Sequence, residues 1–236
     1  MNSISVCMAT FNGESFIAQQ IDSILAQLNQ SDELIISDDS STDRTLEIIK
    51  SYNDSRIILS SENQFSSPTF NFENAIKSAK NEYIFLADQD DLWLPNKVLV
   101  MKEYLKSCDL VVCNCSIIDD AGQTLRDSYF ELRKSGKGFF RNLSRNTYLG
   151  CCMAFNKAIL KKALPFPKDI PMHDIWLGFI AELFYNPKFL NITLMQYRKH
   201  SNNASSASSG VSSYTLLQKI RFRYNLIKYI PSLILR

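Results

Sequence analysis

The sequence predicts an α/β fold with a mostly parallel central sheet flanked by helices. Three observations carry this. Short apolar runs alternate with stretches of helical spacing through the first hundred positions. The runs are continuous rather than alternating, as strands buried on both faces are. Each run ends in a polar loop, and ligands of open parallel sheets collect at that carboxyl edge.

The elements follow in order. Ile4 to Ala9 reads as the first strand, and Ile17, Ile21, Ile24 and Leu28 recur at helical spacing. Leu34 to Ser37 is a strand, Thr42 to Tyr52 a helix, and Arg56 to Ser60 a third strand. Phe72, Ile76 and Ala79 mark a helix, Tyr83 to Ala87 a fourth strand, and Pro95 opens the next helix. This alternation implies βαβ units and a parallel sheet. The second half is less regular. Leu110 to Ile118 is a strand and "DDAG" a turn, whereas residues 125 to 147 are polar and poorly patterned. "LGCCMAF", Leu149 to Phe155, reads as a central strand. Pro171 begins a helix to about Phe184, and Leu190 to Tyr197 is strand-like. Residues 201 to 213 are a low-complexity Ser-rich loop, and a helix follows from 214 as far as Pro231.

The 236 residues suffice for one sizeable core. A net charge of +2 describes no polyelectrolyte, and no nucleic-acid partner is expected. The charge is unevenly spread, however. After Glu182 there is no Asp or Glu, while Lys and Arg recur to the C-terminus. Such a tail suits an anionic membrane or a phosphorylated substrate. The N-terminus lacks a signal-peptide pattern, and no apolar run approaches transmembrane length. The expectation is a cytoplasmic protein with its six cysteines reduced, and their strand-like settings favour core packing over metal binding.

The chemistry concentrates in the strand-end loops. "TFNGE" follows the first strand, "SDDSSTD" the second and "DQDD" the fourth. Helix capping explains one or two carboxylates per loop. It does not explain Asp88, Asp90 and Asp91 within four positions, because like charges at that spacing repel. A hard divalent cation, Mn²⁺ or Mg²⁺, would offset them. The chain has seven glycines and neither GxGxxG after its first strand nor a P-loop, so a backbone cradle for phosphate is not expected. A nucleotide diphosphate would then need a carboxylate-held metal.

Four strings, "VCMATFNGESFIAQQIDSIL", "IISDDSSTDRT", "FLADQDDLW" and "MHDIWLG", together resemble glycosyltransferase family 2, whose fold is GT-A. The resemblance spans roughly residues 3 to 200. It implies an inverting transferase with a nucleotide-sugar-binding half, 1–107, and an acceptor-binding half, 108–200. Thr10, Asn12, Glu14, Asp38 and Asp39 would then hold the nucleotide. Asp88 would contact ribose, and Asp90 and Asp91 the metal. Asp174 would be the catalytic base that deprotonates the acceptor hydroxyl. Its bland alternative is a favourable place in the first turn of a helix, worth ~0.3–1 kcal/mol. His173 and Trp176 are candidates for the acceptor, although a helical Trp is as often core. His200 in "YRKH" is a candidate metal ligand and Arg198 a candidate diphosphate contact, each with a structural alternative. Asn63, Asn71 and Asn74 fit a turn and helix start better than a sugar contact. Ser40 stands where the family usually has Gly, which leaves the geometry beside Asp38 open. The "QxxRW" string of processive synthases is absent, so transfer of one sugar is expected.

The resemblance also suggests rhamnosyl- or hexosyltransferases of bacterial surface polysaccharide (O-antigen or capsule) synthesis, with acceptors often linked to polyprenyl diphosphate. A peripheral position on the inner face of the cytoplasmic membrane would follow. In the tail, Leu216, Ile220, Tyr224 and Ile227 form one apolar stripe, and Phe222, Leu226, Tyr229 and Leu233 a second. One stripe docks on the body; the sharper reading lays the second on an anionic membrane. Two alternatives to a transferase are a sugar-nucleotide nucleotidyltransferase and a non-catalytic sugar-nucleotide-binding module. The first would show a Gly- and Lys/Arg-rich loop after the first strand, which "TFNGES" is not.

Overall fold

A computed structural model describes residues 3–201, 203 and 215–235. The Ser-rich loop foreseen at 201–213 lies outside these residues apart from Ser201 and Asn203.

The first half is the expected alternation. Strands β1 (Ile4–Thr10), β2 (Glu33–Asp38), β3 (Ile57–Ser60) and β4 (Tyr83–Asp88) enclose helices α1 (Ile17–Leu25), α2 (Thr45–Ser51) and α3 (Pro68–Ser78). All four strands run parallel in the order β3-β2-β1-β4. β1, β2 and β4 are buried almost throughout, which accounts for their unbroken apolar sequences. Ile17, Ile21 and Ile24 form the buried face of α1, at about 1.5–3 kcal/mol per side chain removed from water.

The sheet continues past β4 with antiparallel β8 (Met153–Asn156), then β6 (Leu110–Ile118) and β9 (Pro187–Arg198), which is parallel to β6. The two-residue strand β5 (Leu92–Trp93) closes that edge against β9, and β7 (Thr124–Arg126) pairs with β6. β8 is central, as expected for "LGCCMAF", but shorter. Gly150–Cys152 instead form a 3₁₀ turn before it. The poorly patterned 125–147 segment holds short helices α5 (Tyr129–Arg133) and α6 (Phe139–Ser144). The remaining helices are α4 (Lys97–Leu105), α7 (Leu160–Ala163), α8 (His173–Phe184), α9 (Leu216–Ile227) and α10 (Ile230–Leu235). Pro171 lies two residues before α8 rather than inside it, and Pro231 falls in the first turn of α10, where its missing N–H costs nothing.

The tail docks by its second stripe. Leu226 and Leu233 are buried and Phe222 and Tyr229 half-buried. Tyr229 hydroxyl donates to Asp169 Oδ1 at 2.7 Å, and its ring meets Trp176 edge-on at 5.8 Å. The first stripe faces outward, with Leu216 75% and Tyr224 64% exposed. The stripe expected against a membrane is therefore the one packed on the body. All six cysteines are buried and free.

Candidate active site

Strand register brings the candidate residues together. Ala9 pairs with Asp88 and Thr10 with Asp38, so the ends of β1, β2 and β4 are level at one edge. A cleft of about 1050 Å³ opens there. It is lined from the first half by Thr10, Asp39, Asn71, Asp88 and Asp90, and from the second by Tyr148, Gly150, His173 and Asp174.

On the nucleotide side, Asp38 and Asp39 divide the work. Asp38 is fully buried and accepts from Thr10 Oγ1 at 2.7 Å, Ser41 N at 2.8 Å and Ser41 Oγ at 2.6 Å. It is a latch for the loop, contrary to the role expected of it. Asp39 lines the cleft, while its oxygens accept from Phe65 N at 2.6 Å and Ser67 N at 3.3 Å. Ser40 between them takes φ 60, the left-handed conformation for which a glycine is better suited, and its hydroxyl donates to Asn63 O at 2.6 Å. That bond holds the geometry without the glycine.

Asn12 and Glu14 also depart from expectation. Asn12 Oδ1 accepts from Thr42 N at 2.8 Å and Glu14 Oε2 from Arg44 N at 3.0 Å. Both stitch the loop after β1 to the loop after β2, outside the cleft lining. Asn63 and Asn74 satisfy Ser37, Ser60 and the backbone, as their structural reading foresaw. Asn71 differs. Its Nδ2 donates to Thr10 O at 3.0 Å, yet its buried Oδ1 has no partner among the described residues and the residue lines the cleft.

The carboxylate cluster separates into two layers. Asp90 lines the cleft, and its Oδ2 lies 2.7 Å from His200 Nε2, an ion pair that raises the imidazole pKa. Asp91 turns inward and is fully buried. Its Oδ1 accepts from Arg198 N at 3.0 Å, and Oδ2 has no hydrogen-bond partner among the described residues. Carboxylate oxygens of Asp88 and Asp91 and the Cys151 sulfur lie within 4.8 Å of one another. Burial, then the neighbouring carboxylate charges, push the pKa of both Asp88 and Asp91 up. Among the described residues, the ion pair made by these three carboxylates is that of Asp90 with His200. The group is short of positive charge, which suits a divalent cation, and Asp90 is the member of the Asp90–His200 pair that lines the cleft.

Arg198, expected at the diphosphate, is turned into the protein and is not among the residues that line the cleft. It is 4% exposed and lies over the Phe16 ring at 4.5 Å. Nε donates to Asp90 O at 3.0 Å, Nη1 to Asp119 O and Asp120 O at 3.2 Å, and Nη2 to Gln19 Oε1 at 3.1 Å. Every arm of the fork is engaged, which makes it a strut between the end of β9 and the Asp90 loop. Trp176 is likewise removed from the acceptor. It is fully buried, with Nε1 donating to Ala163 O at 2.9 Å and its ring stacked on Phe179.

Asp174 occupies the first turn of α8 as expected. Its Oδ1 accepts from Ile175 N at 2.7 Å and Oδ2 from Gly150 N at 3.2 Å. Burial outweighs these bonds and pushes the carboxyl up to about 6. His173 stacks on Phe72 at 3.9 Å, and neither buried ring nitrogen has a partner among the described residues. Burial pushes its pKa down to about 3, so the ring is neutral at physiological pH. Gly150 escaped the sequence reading. Its signal was a glycine inside an otherwise strand-like run, which marks a break or a close approach.

A level strand edge bearing acidic loops, with a second acid on a helix across the cleft, is an arrangement of the GT-A fold. The structure of Staphylococcus aureus TarS in complex with UDP-GlcNAc superposes with a TM-score of 0.72 over all of this chain and 67% of that one, at 21% identity. A mannosyltransferase from Pyrobaculum calidifontis, in complex with GDP-Man and Mn²⁺, matches with a TM-score of 0.63 and 17% identity over 87% of this chain and 59% of that one. The family profile "Glycosyl transferase family 2" matches residues 5–164, and the chain belongs to that family as a glycosyltransferase. It is 31% identical to the dTDP-rhamnosyl transferase RfbG of Shigella flexneri, over 92% of this chain and 80% of RfbG. Over 42% of this chain and 39% of the other, it is 38% identical to the UDP-Glc:alpha-D-GlcNAc-diphosphoundecaprenol beta-1,3-glucosyltransferase WfaP of Escherichia coli.

Proposed function

We propose that the protein is an inverting, metal-dependent transferase that moves one sugar from a nucleoside diphosphate sugar to a saccharide hydroxyl. The observation that carries this is the placement of Asp174 on the same cleft as Asp88 and Asp90. A base and a donor-binding cluster then flank one space.

Thr10, Asp39 and Asn71 offer polar groups for the nucleoside, and Asp88 for the ribose and sugar. Asp90 and His200 would hold Mn²⁺ or Mg²⁺, which when bound neutralises the charge that develops on the leaving diphosphate. Asp174 is ionised above pH about 6 and fixed by two backbone N–H groups. It takes the acceptor hydroxyl proton as that oxygen attacks the anomeric carbon. A single displacement from the face opposite the diphosphate inverts the configuration.

The name of RfbG supports a rhamnosyl donor, and that of WfaP a hexosyl donor and an acceptor linked to polyprenyl diphosphate; assembly of a surface polysaccharide is the role we infer from them. The outward stripe of α9, with the exposed Arg221 beside it, suits an anionic membrane on its cytoplasmic face. None of the described helices is long and apolar enough to cross a membrane.

Proton NMR of the anomeric signal during transfer tests this reading, with and without EDTA. Inverted product that forms only with a divalent ion is expected. Retained configuration, or full turnover in EDTA, contradicts it.

A further inference from the structure

The cleft wall formed by α5, α6 and α9 carries positive charge that the mechanism above does not use. Arg133, Arg145, Lys219 and Arg223 all line it. They gather round one turn. Arg133 Nη2 donates to Asn146 O at 3.2 Å, and Arg223 Nη2 donates to Ser144 O. Two guanidinium groups thus grip the carbonyls on either side of Arg145. Lys219 lies one helical turn before Arg223, on the same face of α9. Arg133 Nε is buried and has no hydrogen-bond partner among the described residues.

Among the described residues, no carboxylate pairs with this group, although Asp39, Asp88, Asp90 and Asp174 line other parts of the same cleft. The ion pairs among the described residues leave all four cations out. The sequence beyond Glu182 holds no Asp or Glu that might reach them. Glu182 itself is taken by neutral donors, Gly138 N at 2.8 Å, Asn142 Nδ2 at 3.1 Å and Tyr148 hydroxyl at 3.0 Å. Like charges collected on a concave wall repel unless an anion joins them. Guanidinium groups match phosphate oxygens in paired hydrogen bonds.

We propose that this wall is a subsite for a phosphate or diphosphate group on the acceptor. The inference rests on the transferase reading above and adds the residues and the ligand chemistry. The turn at 144–146 leads within four residues to Gly150, whose N–H holds Asp174. An acceptor anchored there by its phosphates would present its sugar toward the base. Thr10, Asp39 and Asp90, on other elements, remain for the donor. The same helix, α9, turns Leu216, Leu217 and Ile220 to solvent, so a lipid-borne phosphate would enter beside the face proposed to meet the membrane.

Calorimetry on the full chain tests the subsite, with the donor side saturated by nucleoside diphosphate and Mn²⁺. Farnesyl diphosphate is the probe and farnesol the uncharged control. Farnesyl diphosphate is expected to bind and farnesol not to. Arg145→Gln should weaken the probe by about tenfold or more and leave nucleoside diphosphate affinity unchanged. This variant keeps both carbonyl contacts of the turn, so local unfolding does not account for a loss. Equal affinity of Arg145→Gln and the parent protein for farnesyl diphosphate overturns the proposal. So does abolition of probe binding by nucleoside diphosphate, which assigns it to the donor side. Vesicles of phosphatidylglycerol separate the sources of phosphate. If Arg145→Gln lowers vesicle binding and leaves farnesyl diphosphate unchanged, the wall is a headgroup site and the proposal fails. Failure of the parent protein to bind nucleoside diphosphate with Mn²⁺ would instead remove the transferase reading, with the farnesyl diphosphate comparison still deciding the subsite.

Discussion

Gly150 donates its backbone N–H to Asp174 Oδ2 at 3.2 Å, tying the turn before β8 to the first turn of α8. The turn can do so because residues 150–152 leave the β ladder as a 3₁₀ turn. Space rather than backbone strain requires the glycine. A Cβ at position 150 would stand 2.7 Å from His173 Nε2 and 3.5 Å from Asp174 Cβ. Gly150→Ala should therefore push the imidazole and displace the carboxylate. Turnover is expected to fall by about 10²-fold, a typical cost of a misplacement near 1 Å. Donor affinity, read by calorimetry, should stay within about threefold.

Asp174 carries a stability cost that its substitution removes. Burial raises its folded pKa to about 6 from the ordinary 3.8. The folded state thus binds this proton more tightly than the unfolded state. The associated stability is full below about pH 4 and is lost as pH rises through about 6. Asp174→Asn should be more stable than the parent at pH 7.5 by about 1–3 kcal/mol, with the gain fading near pH 4. Denaturant unfolding at the two pH values checks this. In the parent enzyme, kcat/KM should rise with pH through about 6 as the base ionises.

Asp90 and His200 meet at 2.7 Å where the cleft-facing cation is proposed. Asp90→Asn and His200→Ala should each weaken Mn²⁺-dependent donor binding by about 10–100-fold. Nucleotide-sugar titrations with and without Mn²⁺ distinguish this from general damage, since binding in the absence of metal should change little. Equal Mn²⁺ dependence in both variants and the parent would assign the ion elsewhere.

The outward stripe of α9 gives a separate test. Leu216→Ser with Ile220→Ser removes exposed apolar surface and leaves the buried Leu226 and Leu233 in place. The double variant should lose sedimentation with anionic vesicles while its melting temperature stays within about 2 °C, as surface changes usually allow. Unchanged sedimentation would dissociate the stripe from membrane binding.

How much of this was legible in the sequence depends on which physical rule governed each part. β1, β2 and β4 were plain because interior parallel strands need unbroken apolar runs, and their level ends made the acidic loops a site. β5 was missed because a two-residue strand has no period, although its pairing with β9 brings Arg198 and His200 to Asp90. Helices α5 and α6, only five and six residues long, were hidden for the same reason. Trp176 and Arg198 sat beside motif residues, yet a helix alternates faces and a strand end can turn its side chain inward. Motif proximity alone therefore could not assign them. Asp38 and Asp39 are neighbours with opposite fates, because successive residues leaving a strand point to opposite sides.

The central claim is that Asp174 is the base across the cleft from the donor carboxylates. Turnover and donor affinity of Asp174→Asn, measured on the same preparation, test it most directly. Transfer should drop by about 10²–10⁴-fold with nucleotide-sugar affinity retained. Turnover within a few-fold of the parent enzyme would contradict it and place the base on another residue.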